Sequence, residues 1–244
     1  MIGDVAAARE RVLATIAEAA HRAGRDPTLV RLVAVTKQVP AERVQAAVAA
    51  GLTELGENRV QEAAAKIPLV SAGTAEVAPR WHLVGPLQSN KARRAVELFE
   101  VVESVDSLDL AVRLDRLTRE LRPGRPLPVL LQVNVDADPA KAGFSPAALE
   151  RELAAIVALD GLRVEGLMTV GRLVPTAEAA RPTFRALREL SERLRGSQPG
   201  LGGDLSMGMT DDYGVAVEEG ATIVRIGRAL FGERQHAGQA TDRR

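Results

Sequence analysis

The chain has 244 residues, 46% of them hydrophobic, which is enough for one large α/β domain with a full core. Lysine plus arginine and aspartate plus glutamate both number 32, so the formal net charge is zero, which argues against a nucleic-acid partner. One Trp, one Tyr and four Phe are too few for base-stacking platforms, and the absence of cysteine excludes disulfides and thiolate nucleophiles.

The three histidines, His21, His82 and His236, show no metal-ligand spacing, so no metal site is expected. The first residues, "MIGDVAAARERVLATIAEAAHRAG", carry charges throughout and lack the apolar core of a signal peptide. No apolar run reaches the length of a membrane span. A cytoplasmic protein with no membrane contact is predicted.

Residues 4–23 place alanine, valine, leucine and isoleucine at helical spacing up to Gly24, which predicts an N-terminal helix. Short apolar runs follow at 31–36, 53–55, 81–84, 100–105, 127–135, 162–170, 204–206 and 222–226. Amphipathic stretches separate them at 40–50, 58–66, 89–98, 107–121, 146–159, 176–195 and 211–219. Ser107, Ser145-Pro146 and Thr210-Asp211 offer helix starts. Eight strands alternating with helices predict a parallel sheet, and their number suits a single closed (β/α)8 barrel, with a doubly wound open sheet as the competing architecture. The N-terminal helix is extra to that count and is expected to cover the surface left by a short eighth helix. The barrel is assigned to residues 1–234, and 235–244 read as a polar, disordered tail.

Active sites of such barrels sit at the C-terminal strand ends. "LVAVTK", 32–37, reads as a buried strand ending in Lys37, an ammonium either reaching water at the strand mouth or held for chemistry. The other strand ends bring Asn58, Ser206 and Arg225 to the same mouth, with no paired carboxylates and no nucleophile beside a base. A lysine amine with donors for an anion points to a Schiff base on a phosphorylated aldehyde. The loops after the last two strands, "SMGMTDD" and "IGRALFG", offer Ser206, Gly227 and backbone N–H groups for a phosphate, although both glycines also suit ordinary turns. His82 beside Trp81 reads as a core histidine, Met207 and Met209 as packing, and Asp211 and Asp212 as carboxylates at a helix start.

"AVTK", "GENRVQE", "WHLVGPLQSNK", "GLMTVG" and "LSMGMTDDYGVAVEEGATIVRIGRALFG" resemble the pyridoxal phosphate homeostasis proteins, in the family's order and over about residues 4–234. That family is similar in fold to the barrel domain of bacterial alanine racemase. The resemblance implies pyridoxal 5′-phosphate (PLP) as cofactor, held covalently by Lys37 as a Schiff base. It implies that Asn58 lines the cofactor, Ser206 and Gly227 bind its phosphate, and Arg225 faces the pyridine nitrogen. It further implies a vitamin B6 carrier and regulator without established catalysis, with PLP-dependent apo-enzymes as recipients. The chain departs from the family pattern at Arg228, where a small hydroxyl residue is common, and at Gly171-Arg172.

The competing function is an amino-acid racemase of the alanine-racemase type. Those enzymes, as the resemblance implies, take a catalytic tyrosine from a second domain across a dimer interface. Here no second domain is expected, the only tyrosine is Tyr213, and a monomer is predicted.

Overall fold

The computed structural model describes residues 2–74 and 77–232. The predicted tail therefore lies outside the described residues. Eight strands appear where the apolar runs predict them: β1 (Arg31–Val35), β2 (Glu54–Glu57), β3 (Arg80–Leu83), β4 (Val101–Val105), β5 (Leu127–Gln132), β6 (Leu162–Met168), β7 (Asp204–Ser206) and β8 (Ile223–Ile226). Each pairs in parallel with the next, and β8 returns to β1, so the sheet is a closed barrel in sequence order. The open-sheet alternative is excluded.

Helices fill the intervals: α1 (Ile2–Arg22), α2 (Ala41–Ala49), α3 (Val60–Ala72), α4 (Ala92–Leu98), α5 (Leu108–Leu121), α6 (Pro146–Val157), α7 (Arg181–Ser197), α8 (Tyr213–Glu218) and α9 (Arg228–Phe231). The side chains of Ser107 and Ser145 accept from the N–H groups of Leu110 and Ala148, as their helix-start positions predict. Thr210-Asp211 does not act this way. α8 begins two residues later, and Asp212 stands at its cap position with its carboxylate turned back to the Met209 N–H at 2.7 Å. That local ring satisfies Asp212 before the helix begins.

α9, the last helix among the described residues, has only four residues. α1 covers the surface it leaves, packing against α2, α8 and α9. Its inward stripe of Val5, Ala8, Val12, Ile16, Ala19 and Ala20 has helical spacing and is fully buried. Burial of this stripe against the barrel is what holds α1, because most helical stability in a protein comes from packing of the amphipathic face rather than from propensity.

Two separate apolar clusters result from strand alternation. The larger lies between strands and helices. The smaller, Val33, Val84, Leu130, Met168 and Ile223, fills the barrel interior. Gly56 faces this inner cluster, where a Cβ would come within 2.9 Å of Val33 Cγ1. The rest of the interior is polar and charged, and that sets up the site.

Candidate functional site

The five residues predicted for the site come from an unbroken arc of the barrel, β2–β1–β8–β7. Lys37 lies two residues beyond β1, Asn58 just beyond β2, Ser206 ends β7, and Arg225 and Gly227 sit at the end of β8. Val35 pairs with Gly56 and Ala34 with Ile226. A Cβ at Gly227 would lie 3.4 Å from the Val35 carbonyl oxygen, which puts this glycine beside the end of β1.

Lys37 is half-buried in a tight turn closed by the Val39 N–H donating to the Thr36 carbonyl at 2.9 Å. The next residue, Gln38, has a φ of 61°, a left-handed conformation that costs roughly 1–2 kcal/mol outside glycine. α3 supplies the compensation. Glu62 accepts from the Gln38 N–H, and Lys66 Nζ donates to the Thr36 carbonyl and to Glu57 Oε1, both at 2.6 Å, and to Glu62 at 2.9 Å. The Thr36 hydroxyl donates to Glu57 at 2.7 Å. The turn bearing Lys37 is therefore clamped from below by a buried ion pair. Burial pushes the Glu57 carboxyl pKa up despite Lys66 and Thr36.

Arg225 is buried inside the barrel, and burial lowers its pKa. Its Nη1 donates to Ser206 Oγ at 2.6 Å and its Nη2 to the Thr169 carbonyl at 2.8 Å. Ser206 in turn donates to Glu103 Oε2 at 2.5 Å. The Ser206 hydroxyl is thus engaged within the barrel, between a guanidinium and a carboxylate. Glu103 Oε1 lies 2.6 Å from His82 Nδ1, and His82 Nε2 lies 2.5 Å from Glu54 Oε2. His82 is a satisfied core histidine, as predicted. Sequence reading missed Glu103 altogether. The signal was present: a glutamate in the middle of "VVESV", an otherwise apolar strand buried at every position.

The loops after β7 and β8 are tied together by the Arg225 N–H donating to the Gly208 carbonyl at 3.0 Å. Gly208 has a φ of 91°, and a Cβ there would sit 2.5 Å from Ala216 Cβ, so this turn requires glycine. Met207 is buried in the outer core, as predicted for a packing residue, while Met209 is partly exposed. The Arg228 side chain pairs with the exposed Asp211. The Gly171-Arg172 loop is anchored to the segment after β5. Arg172 Nη2 donates to the Asp136 carbonyl at 2.6 Å, and Lys141 Nζ donates to the Val170 carbonyl at 2.9 Å. Tyr213 packs half-buried on the outer core. No cluster among the described residues could hold a metal ion, and no helix there is long and apolar enough to cross a membrane.

The chain is similar to known proteins. The family described as "Alanine racemase, N-terminal domain" matches residues 9–235. The chain is 47% identical over 236 residues to a pyridoxal phosphate homeostasis protein of Pseudomonas aeruginosa, covering 95% of this chain and 96% of the relative. The protein of the same description in Vibrio cholerae is 40% identical over 233 residues, covering 95% and 97%. PipY of Synechococcus elongatus, solved with PLP bound, superposes with a TM-score of 0.77 at 44% identity, over 89% of this chain and all (100%) of that one. An alanine racemase of Clostridium difficile shares the fold alone, with a TM-score of 0.66 at 13% identity over 91% of this chain and 56% of that one.

Proposed function

The chain belongs to the pyridoxal phosphate homeostasis proteins of the alanine racemase N-terminal domain family, and from that premise we propose that it binds PLP covalently at the barrel mouth and carries it for apo-enzymes. The donor set fits the cofactor. PLP offers an aldehyde, an aromatic ring nitrogen and a phosphate. The mouth offers the Lys37 amine, the buried Arg225 guanidinium, and two loops in which Gly208 and Gly227 carry no side chain over the backbone. When bound, the cofactor supplies an aldehyde that condenses reversibly with a lysine amine.

The observation that carries the reading is the clamped turn. Lys66, Glu57 and Glu62 hold Lys37 at the end of β1 beside Gly227, in a backbone conformation that costs energy. Asn58 lines the wall from the neighbouring strand. Arg225 presents a permanent cation to the ring side, which opposes protonation of the ring nitrogen and leaves the cofactor a weak electron sink. Gly208 and Gly227 let the chain approach the phosphate closely. Ser206 takes part by holding Arg225. Weak electron withdrawal and a reversible bond describe a carrier better than a catalyst.

The test is borohydride reduction of the cofactor-loaded protein followed by peptide mapping. The adduct is expected on Lys37, and Lys37→Ala should lose the visible absorbance band. An adduct confined to Lys91 or Lys141 refutes the assignment. Loaded protein should reactivate a PLP-dependent enzyme stripped of its cofactor; failure to do so refutes the carrier role.

A further inference from the structure

Through the barrel runs a line of charges from its N-terminal end to the mouth: Glu54, His82, Glu103, Ser206, Arg225. The contacts are 2.5, 2.6, 2.5 and 2.6 Å in that order. Glu103 and His82 are fully buried, while Glu54 at the far end is partly exposed. Directions of donation are fixed at one end. Arg225 can only donate, so Ser206 Oγ accepts from it and turns its own proton to Glu103. At the other end both imidazole nitrogens face carboxylates, and a carboxylate only accepts. Both nitrogens satisfy their partners only if both carry protons. The signs then alternate along the line, negative, positive, negative, positive, and no buried charge is left uncompensated.

We propose that His82 is a positioning residue for Arg225: as a buried imidazolium it shares the charge of Glu103, and Glu103 through Ser206 fixes the direction of the Arg225 guanidinium and its field at the mouth. A neutral ring at position 82 would leave Glu103 with Arg225 as its only close countercharge along the line. The guanidinium would then be drawn toward Glu103, and its effect on a ligand ring at the mouth would weaken. Burial works against the imidazolium, but the hydrogen bonds to Glu103 and Glu54 outweigh it and raise the His82 pKa. Further charged groups around the line are Arg31, Arg80, Glu165 and Asp204 near Glu54, and Asp212 near Arg225.

The second half of the proposal rests on the reading that PLP lies against Arg225; the first half does not. The first experiment therefore uses the cofactor-free protein with 15N-labelled histidine. Both His82 ring nitrogens are expected at imidazolium shifts well past the ordinary titration point of about 6.5. A ring that titrates there, or a single neutral tautomer throughout, overturns the proposal. Glu54→Gln, at the accessible end, should bring the His82 titration down by roughly 1–3 pH units. It serves where His82→Gln does not fold. The second experiment follows the visible band of the PLP-loaded protein against pH. Glu54→Gln should displace the profile although Glu54 is at the opposite end of the line. In a Ser206→Ala background the displacement should vanish, and in a Ser206→Thr background it should return. An unchanged profile in Glu54→Gln, with PLP bound, overturns the coupling. If the wild-type protein takes up no PLP, the cofactor reading fails, and the histidine titration still decides the charge state of the line.

Discussion

Lys66 donates from Nζ to the Thr36 carbonyl oxygen at 2.6 Å, one residue before Lys37. The same ammonium pairs with Glu57, whose Oε2 has no hydrogen-bond partner among the described residues. Removing Lys66 therefore leaves a buried carboxylate uncompensated. Lys66→Met should destabilise the fold by about 3–5 kcal/mol, as breaking one side of a buried pair does. The double variant with Glu57→Leu should recover most of that loss. Urea midpoints of the three proteins check both statements, and a double variant as unstable as the single one contradicts the clamp.

The two mouth glycines should respond differently to alanine. At Gly208 the left-handed backbone and the 2.5 Å approach to Ala216 leave no room, and Gly208→Ala should cost about 1–3 kcal/mol of stability. At Gly227 the nearest atom is 3.4 Å from a new Cβ, so Gly227→Ala should fold within about 0.5 kcal/mol of wild type. Its effect should fall on PLP affinity. Thermal melts and cofactor titrations separate the two.

Ser206 gives a test between two roles. Its hydroxyl contacts Arg225 and Glu103. If it holds Arg225, Ser206→Ala should weaken pyridoxal and PLP alike, leaving their affinity ratio unchanged. If the hydroxyl contacts phosphate, PLP alone should weaken, by roughly 1.5–3 kcal/mol. Parallel equilibrium titrations of the two ligands decide.

The charge line also makes stability depend on pH. His82 is raised above its ordinary 6.5, so its contribution is complete below that value and is lost as pH rises through the folded-state pKa. Glu54 and Glu103 are depressed below 4.5, because the His82 hydrogen bonds outweigh burial; their contribution is complete above 4.5 and lost as pH falls through the folded-state pKa. The line contributes most between those two ordinary values. The stability gap between wild type and His82→Gln should narrow as pH rises past about 6.5. A gap that stays constant into the alkaline range contradicts this assignment of charge.

Racemisation needs an electron-withdrawing ring and acid–base groups on both faces of a substrate. On the proposed placement of the cofactor Arg225 opposes the first, and the single tyrosine of the sequence, Tyr213, packs on the outer core. Each missing positioned group forfeits about 10²–10⁴-fold in rate. PLP-loaded protein should therefore interconvert L- and D-alanine far more slowly than the roughly 1–10³ per second of ordinary enzymes. Chiral chromatography of the products measures it.

Strand order was readable because each run of "LVAVT" or "LPVLLQV" type is bounded by charged or proline-containing segments. The same pattern hid the interior. Parallel strands are buried on both faces, so the alternation that would separate inside from outside is lost. Glu103 consequently went unread and His82 read as a lone core histidine, and only closure of the barrel brings β3, β4, β7 and β8 into one line. Lys37 and Arg225 were legible from strand ends, whereas Lys66 was not, because its partner lies nine residues earlier across a strand–helix connection. Arg228 was legible only as a departure from the family pattern, and its pairing with Asp211 depends on where two loops meet.

The barrel closes by joining its first strand to its last, and α1 seals that seam against α8 and α9. A ribosome makes α1 before any strand of the barrel, and Phe231 more than two hundred residues later. Until then the stripe from Val5 to Ala20 has α2 but neither α8 nor α9 to pack on, and β1 has one bare edge. At about 5–20 residues per second the nascent chain spends roughly ten seconds or longer in that half-built state. Arg25 marks the end of the wait: its guanidinium donates to the carbonyls of Val217 and Ala221, a lock that only the finished C-terminal half can supply. A truncation before α8 should therefore leave the N-terminal helix without α8, α9 and the Arg25 lock, as a sticky, chaperone-binding segment.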